Sequence, residues 1–197
     1  MRVVAGEFRG RRLKSPTWEG LRPTSDRLRE TLFNILGPSV RGTRVLDGYA
    51  GTGAVGIEAL SRGAAHVTFV ERDPRAVTLI EANLALVGGA AGGKPVIIRA
   101  GWADAITRLD GQVFDLIILD PPYADSAVAE ALEGAGTLAG PETRVIVEHA
   151  SRYAAAAGQA GLRLTRTVKA GDSALSFYEH GEHPGARLAL LAPSDER

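Results

Sequence analysis

Val45-Leu46-Asp47-Gly48-Tyr49-Ala50-Gly51-Thr52-Gly53-Ala54-Val55-Gly56-Ile57-Glu58-Ala59-Leu60 decides the fold. Arg44 to Asp47 reads as a short strand, the following glycine-rich residues as a turn, and Ile57 to Leu60 as the body of a helix. Gly51, Gly53 and Gly56 satisfy G-x-G-x-x-G in the strand–turn–helix setting the motif requires. Glycine there permits a tight turn and close approach of a ligand to the backbone. Further on, the strand His66-Val67-Thr68-Phe69-Val70 ends in Glu71, at the spacing of an acid that accepts both hydroxyls of a ribose. Together they point to a nucleoside-containing cofactor; a purely structural turn would explain the glycines but not the acid. The pattern alone leaves a dinucleotide and S-adenosylmethionine both open.

Strand and helix patterns alternate outward from this turn. A helix follows to about Arg62, a strand to Glu71, a helix over Pro74–Leu86, then strands ending at Arg99, Asp120 and Glu148 between Ala-rich helical stretches. Such alternation predicts a mostly parallel sheet with helices on both faces. The last two strands, near Leu162–Lys169 and Ala174–His180, are joined by a short Gly-Asp-Ser link that suits a hairpin, so the final strand is expected to be antiparallel. Upstream, Thr24 or Ser25 caps a helix through Leu36, with Leu28, Leu32, Ile35 and Leu36 at helical spacing and Gly37-Pro38 at its end. Arg2 to Lys14 alternates enough for a small hairpin. Gly88 to Gly93 is a loop to which no function attaches.

The chemistry gathers where strands end. Asp120-Pro121-Pro122-Tyr123 follows the apolar run Leu116-Ile117-Ile118-Leu119. Neither proline donates a backbone hydrogen bond and each fixes φ, while Asp120, preceding a proline, is kept extended. Carboxylate, rigid carbonyls and flat ring suit an exocyclic amino group on a planar base: Asp120 and the Pro121 or Pro122 carbonyl accept its hydrogens while Tyr123 stacks. The alternative is a Pro-rich strand-to-loop turn with a surface tyrosine. Asp47, just before the glycines, would repel a pyrophosphate but suits a cofactor with an ammonium and a sulfonium. Asp104, in Gly101-Trp102-Ala103-Asp104 after the strand Val96–Arg99, suits accepting from an adenine amino group, capping a helix, or both. Ligands of open α/β sheets bind outside the carboxyl ends of strands, so these signals share one edge.

Composition narrows the partners. The 197 residues contain no cysteine and four scattered histidines, which leaves no disulfide, no thiolate metal site and no histidine pair at ligand spacing. A metal-free, cytoplasmic protein is expected, without a membrane-length apolar run or a secretory signal. The zero net charge hides an asymmetry. Residues 1–44 carry ten basic side chains against four acidic ones, so that segment is +6 and the remainder −6. A basic arm beside an acidic body is a footprint for phosphate; a solvated basic face is the plainer reading. Arg9, Arg11, Arg12, Lys14 and Arg22 are the candidate contacts to a polyanion of RNA size.

The stretch VLDGYAGTGAVGIEALSRGA, Val45 to Ala64, resembles the cofactor loop of the RsmD family, bacterial 16S ribosomal RNA guanine-N2 methyltransferases. Val4-Ala5-Gly6, Arg9-Gly10-Arg11-Arg12-Leu13, Leu21-Arg22-Pro23-Thr24-Ser25-Asp26-Arg27, Arg29-Glu30 and Phe33-Asn34 match its N-terminal signature, and Gly171 to Leu175 is similar to its last-strand entry. The chain departs from the family at Gly48, where a larger apolar residue is usual, at Tyr49 and at Ala170. The resemblance implies a Rossmann-like class I S-adenosylmethionine-dependent methyltransferase: a seven-stranded, mostly parallel sheet with an antiparallel last strand, plus a small N-terminal β-hairpin. Residues 1–22 would form a basic arm, 23–181 the methyltransferase domain and 182–197 a tail. It implies catalysis by Asp120, Pro121, Pro122 and Tyr123. The implied cofactor contacts are Asp47, Tyr49, Ala50, Gly51, Gly53, Glu71, Arg72, Ala103 and Asp104, with Thr24 and Arg29 closing over the cofactor. The implied substrate is 16S rRNA within the small subunit or an assembly intermediate, met by a monomer. An adenine-N6 DNA methyltransferase would use the same tetrapeptide but needs room for a base-reading domain. A nicotinamide oxidoreductase explains the glycines but not Asp-Pro-Pro-Tyr. A non-catalytic RNA-binding assembly factor would not need Asp120, Asp47 and Glu71 together.

Overall fold

The computed structural model describes residues 1–21, 24–88, 95–122 and 126–181. Tyr123, Arg22 and the tail from 182 onward therefore lie outside the described residues. Among the described residues, five α-helices, α1 (Asp26–Leu36), α2 (Ala54–Ser61), α3 (Pro74–Leu86), α4 (Trp102–Arg108) and α5 (Ala127–Thr137), flank a sheet whose strands are β1 (Arg44–Gly48), β2 (His66–Glu71), β3 (Val96–Arg99), β4 (Phe114–Leu119), β5 (Ala139–Ala150), β6 (Gly158–Gln159), β7 (Leu162–Ala170) and β8 (Ser173–His180). The sheet order is β3-β2-β1-β4-β5-β8-β7-β6. β3, β2, β1, β4 and β5 are parallel, whereas β8 is antiparallel to both β5 and β7. The strand beyond the expected seven is β6, two residues that pair with the start of β7.

Burial on both faces accounts for the continuous apolar runs of the central strands. Val45, Phe69, Ile118 and Ile146 pack with α1, α2 and α3, while Leu46, Val70, Ile117, Leu119 and Val147 pack with α4 and α5. Strand order reverses at β1: the chain crosses from β1 to β2 on one side and later returns to β4 on the other. That reversal opens a crevice above the carboxyl ends of β1 and β4.

Ser25 is the residue that caps α1, its hydroxyl accepting from the Leu28 N–H at 3.1 Å. Residues 1–14 are packed against the body. Their hairpin closes through a single antiparallel bridge, Arg2 to Arg12, and buries Val3, Phe8 and Leu13 in the same core as α1 and α2. The Glu58 carboxylate on α2 accepts from the Val4 and Ala5 N–H groups at 2.7 and 3.0 Å. The Asn83 amide on α3 accepts from the Lys14 N–H at 2.7 Å and donates to the Lys14 carbonyl at 3.2 Å.

Candidate active site

The crevice is a chamber of about 940 Å³. Thr24, Ser25 and Leu28 wall it on the α1 side, Tyr49 to Thr52 and Glu71-Arg72 at the ends of β1 and β2, Trp102, Ala103 and Ile106 on α4, and Asp120-Pro121-Pro122 after β4. Glu130 and Glu133 of α5, with Glu148 and Ser173, complete it. Among the described residues, five carboxylates and one guanidinium, Arg72, line this space, so it favours a cation and disfavours a phosphate.

The glycine turn is held by carboxylates from beneath. Asp47 is buried, and its Oδ2 accepts from the Gly56 N–H at 2.8 Å. Glu71 accepts from the Gly51 N–H through Oε2 and from the Asp73 N–H through Oε1, both at 2.8 Å. Burial pushes Asp47 up to about 8, with the Gly56 N–H pulling it down and the charge of Glu71 adding to the rise. Asp47 is level with Phe69 and Ile118 in the register, two residues below Glu71 and Asp120. It consequently faces a small annex shared with Thr24, Leu28, Asp120 and Glu148 rather than the main chamber.

Tyr49 turns the chain with φ at +61°, a conformation uncommon outside glycine. Its ring stacks on Trp102, the centroids 5.5 Å apart and the planes inclined by 26°. Burial, and then the charge of Glu130, push the Tyr49 hydroxyl up to about 12. Gly48 makes room for this stack: a Cβ there would come within 2.4 Å of Leu119 and 2.8 Å of Trp102. The unusual glycine and the indole therefore form one packing unit.

Thr24, Tyr49, Ala50, Gly51, Glu71, Arg72, Ala103, Asp120, Pro121 and Pro122 are brought together as chamber walls. Others are placed differently. Gly53 is the left-handed N-cap of α2, with φ at +74°, packed toward Ile80 behind the turn. Asp104 is exposed in the first turn of α4, whose cap is Gly101, so it is neither the cap nor a chamber wall. Arg29 is fully buried outside the chamber. Its guanidinium is committed to the Arg2 carbonyl at 2.7 Å, the Ala54 carbonyl at 3.4 Å and the Asp26 carboxylate. These bonds, with Glu58 4.0 Å away, make it a clamp between α1 and α2 rather than a lid. Arg9, Arg11, Arg12 and Lys14 are exposed on the arm, away from the chamber. Sequence reasoning missed Trp102, Glu148 and Ser173 as chamber residues. Trp102 stands inside the Gly101–Asp104 stretch already singled out, and Glu148 lies near the carboxyl end of β5 as Glu71 lies at that of β2.

Residues 1–179 match the family described as Conserved hypothetical protein 95. Over 182 residues the chain is 35% identical to ribosomal RNA small subunit methyltransferase D of Escherichia coli strain K12, spanning 91% of this chain and 89% of that protein. The chain belongs to the ribosomal RNA small subunit methyltransferase D family. Its similarity to the family's Haemophilus influenzae member is 40% identity over 133 residues, or 67% of this chain and 68% of that one. The solved structure of yhhF from Escherichia coli superimposes with a TM-score of 0.77 at 33% identity, covering 91% of this chain and 97% of that chain. SMU.776, a structure complexed with SAH, has the same fold at a TM-score of 0.62 and 16% identity, over 77% of this chain and 48% of that one. Membership makes the protein a methyltransferase, and the chamber lies where its fold binds ligands. Among the described residues, no helix is long and apolar enough to cross a membrane.

Proposed function

We propose that the protein methylates the exocyclic N2 amine of a guanine in small-subunit ribosomal RNA, using S-adenosylmethionine. One observation carries this reading: the glycine turn and Asp120-Pro121-Pro122 open onto a single acid-lined chamber. A cofactor with an ammonium and a sulfonium fits that donor set. A pyrophosphate does not, because it would need turn N–H groups, and those of Gly51 and Gly56 are taken by Glu71 and Asp47. Glu71 and Arg72 would hold the ribose end and Tyr49, Trp102 and Ala103 the adenine end. The cofactor supplies an activated methyl group.

The protein's own task is positioning. The guanine N2 lone pair is delocalised into the ring and weakly nucleophilic. Asp120 and the Pro121 carbonyl, by accepting the amine hydrogens, favour its rehybridisation and steady the positive charge that develops on it. A base reaches the chamber only by leaving its stack, since the acidic walls repel the phosphates around it. Those phosphates lie over Arg9, Arg11, Arg12 and Lys14 outside. The same reading has the protein act as a monomer in the cytoplasm.

The test is methyl incorporation from labelled S-adenosylmethionine into unmodified small subunits, free small-subunit RNA and duplex DNA, with the product nucleoside identified. N2-methylguanine in the subunit sample is the expected result; N6-methyladenine in DNA overturns it. Asp120→Asn is expected to lower transfer by roughly 10²–10³-fold with cofactor affinity unchanged.

A further inference from the structure

Four neighbouring parallel strands each carry a carboxylate at or just past their carboxyl ends: Glu71 on β2, Asp47 on β1, Asp120 after β4 and Glu148 on β5. Among the described residues they do not converge into a group able to hold a metal ion; they form a row, one per strand. In the guanine-N2 reading Glu71 serves the cofactor half of the chamber, Asp47 braces the glycine turn from the annex and Asp120 takes the reacting amine. The fourth lies beyond Asp120, farthest from the cofactor.

Register makes Glu148 the lateral partner of Asp120. Leu119 pairs with Val147, so the next residues, Asp120 and Glu148, stand level on strands about 4.8 Å apart. Both line the chamber and its annex. Glu148 is 8% exposed, and the Ser173 hydroxyl donates to its Oε1 at 3.0 Å. A carboxylate has about four lone-pair sites, so the bond from Ser173 aims the group and still lets it accept from a ligand. β8 holds the backbone through the Glu148–Leu175 pairing.

We propose that Glu148 accepts the N1–H of the target guanine while Asp120 accepts from its N2 amine, and that Glu148 thereby selects guanine over adenine. The proposal rests on the guanine-N2 reading. Guanine presents N1–H and N2–H donors side by side on its Watson–Crick edge, matched by two level carboxylates. Adenine presents a lone pair at N1, which a carboxylate repels, so the two-point match fails. Sites built on such pairing reject the mismatched ligand strongly. An acceptor on N1–H also steadies positive charge developing at N2.

The test pairs a variant with a base analogue. Small subunits are assembled with either guanine or 2-aminopurine at the modified position; the analogue keeps the amine but has no N1–H. Wild-type protein is expected to lose about 10²-fold in kcat/KM on 2-aminopurine. Glu148→Gln is expected to lose a similar factor on guanine while keeping cofactor affinity and Tm, and to regain activity on 2-aminopurine, whose N1 accepts from the carboxamide. Equal wild-type rates on the two bases overturn the proposal without any variant having to fold, as does full activity of Glu148→Gln on guanine. A wild-type product other than N2-methylguanine instead overturns the guanine assignment itself, and this inference with it.

Discussion

Asp47 shows how one residue's surroundings set its chemistry. With its carboxyl pushed up to about 8 by burial, it is largely protonated at neutral pH until a cation approaches. A cationic cofactor favours the ionised form, so binding should release a proton, and affinity should rise as pH increases from 7 toward 9. Calorimetric titration in buffers of different ionisation enthalpy measures that proton directly; heats independent of buffer would refute the link. Stability should move the other way. Between the ordinary value of 3.8 and about 8, the folded chain holds a proton that the unfolded chain has lost, so this group's contribution falls as pH rises. The cofactor-free protein should melt lower at pH 8.5 than at 6.5, and Asp47→Asn should narrow the difference. Asp47 was legible in the sequence as an acid beside the glycines. Its depth was not, because that depends on its level in the register against β2 and β4.

At the scale of elements, α2 joins the arm, the sheet and α1. All eight of its residues are buried, including Glu58, which accepts from two arm N–H groups and from Arg62 Nε at 2.9 Å. Breaking a buried ionic cluster on one side costs about 3–5 kcal/mol, so Glu58→Ala should lower stability by about that much in denaturant unfolding. It should also expose residues 1–14 to protease before the sheet is cut; a small shift with an uncut arm would contradict this account. Arg29 belongs to the same cluster. In the sequence, Arg29 reads as a residue closing over the cofactor and Glu58 as part of a helix body, and their shared burial follows only once the arm lies over α2.

Across the whole molecule, charge is sorted by place. The arm presents Arg9, Arg11, Arg12 and Lys14 to solvent, while the chamber carries five carboxylates among the described residues. Arg11 is partly engaged, donating to the Leu86 carbonyl at 3.0 Å and lying over the Phe8 ring. Replacing Arg9, Arg12 and Lys14 by Gln should weaken RNA binding and reduce the slope of log affinity against log salt by about 0.7–0.9 for each phosphate the arm no longer neutralises. Cofactor affinity should not change. A slope equal to that of the wild type would remove the arm from the RNA interface.

The sequence by itself determined the βα alternation, the glycine turn, the rigid Asp-Pro-Pro exit from β4 and the basic arm. Each of these is written in contiguous residues, through φ restriction, hydrophobic period or local charge. Tertiary structure alone decided which acids stand together. Glu148 and Ser173 meet because β8 inserts antiparallel between β5 and β7, and Glu148 stands beside Asp120 because β4 and β5 pair in one register. Gly48 is explained by Leu119 of the neighbouring strand and Trp102 arriving from α4, which together leave no room for a Cβ. Register and packing join residues far apart in the chain, and no local rule of sequence encodes that pairing.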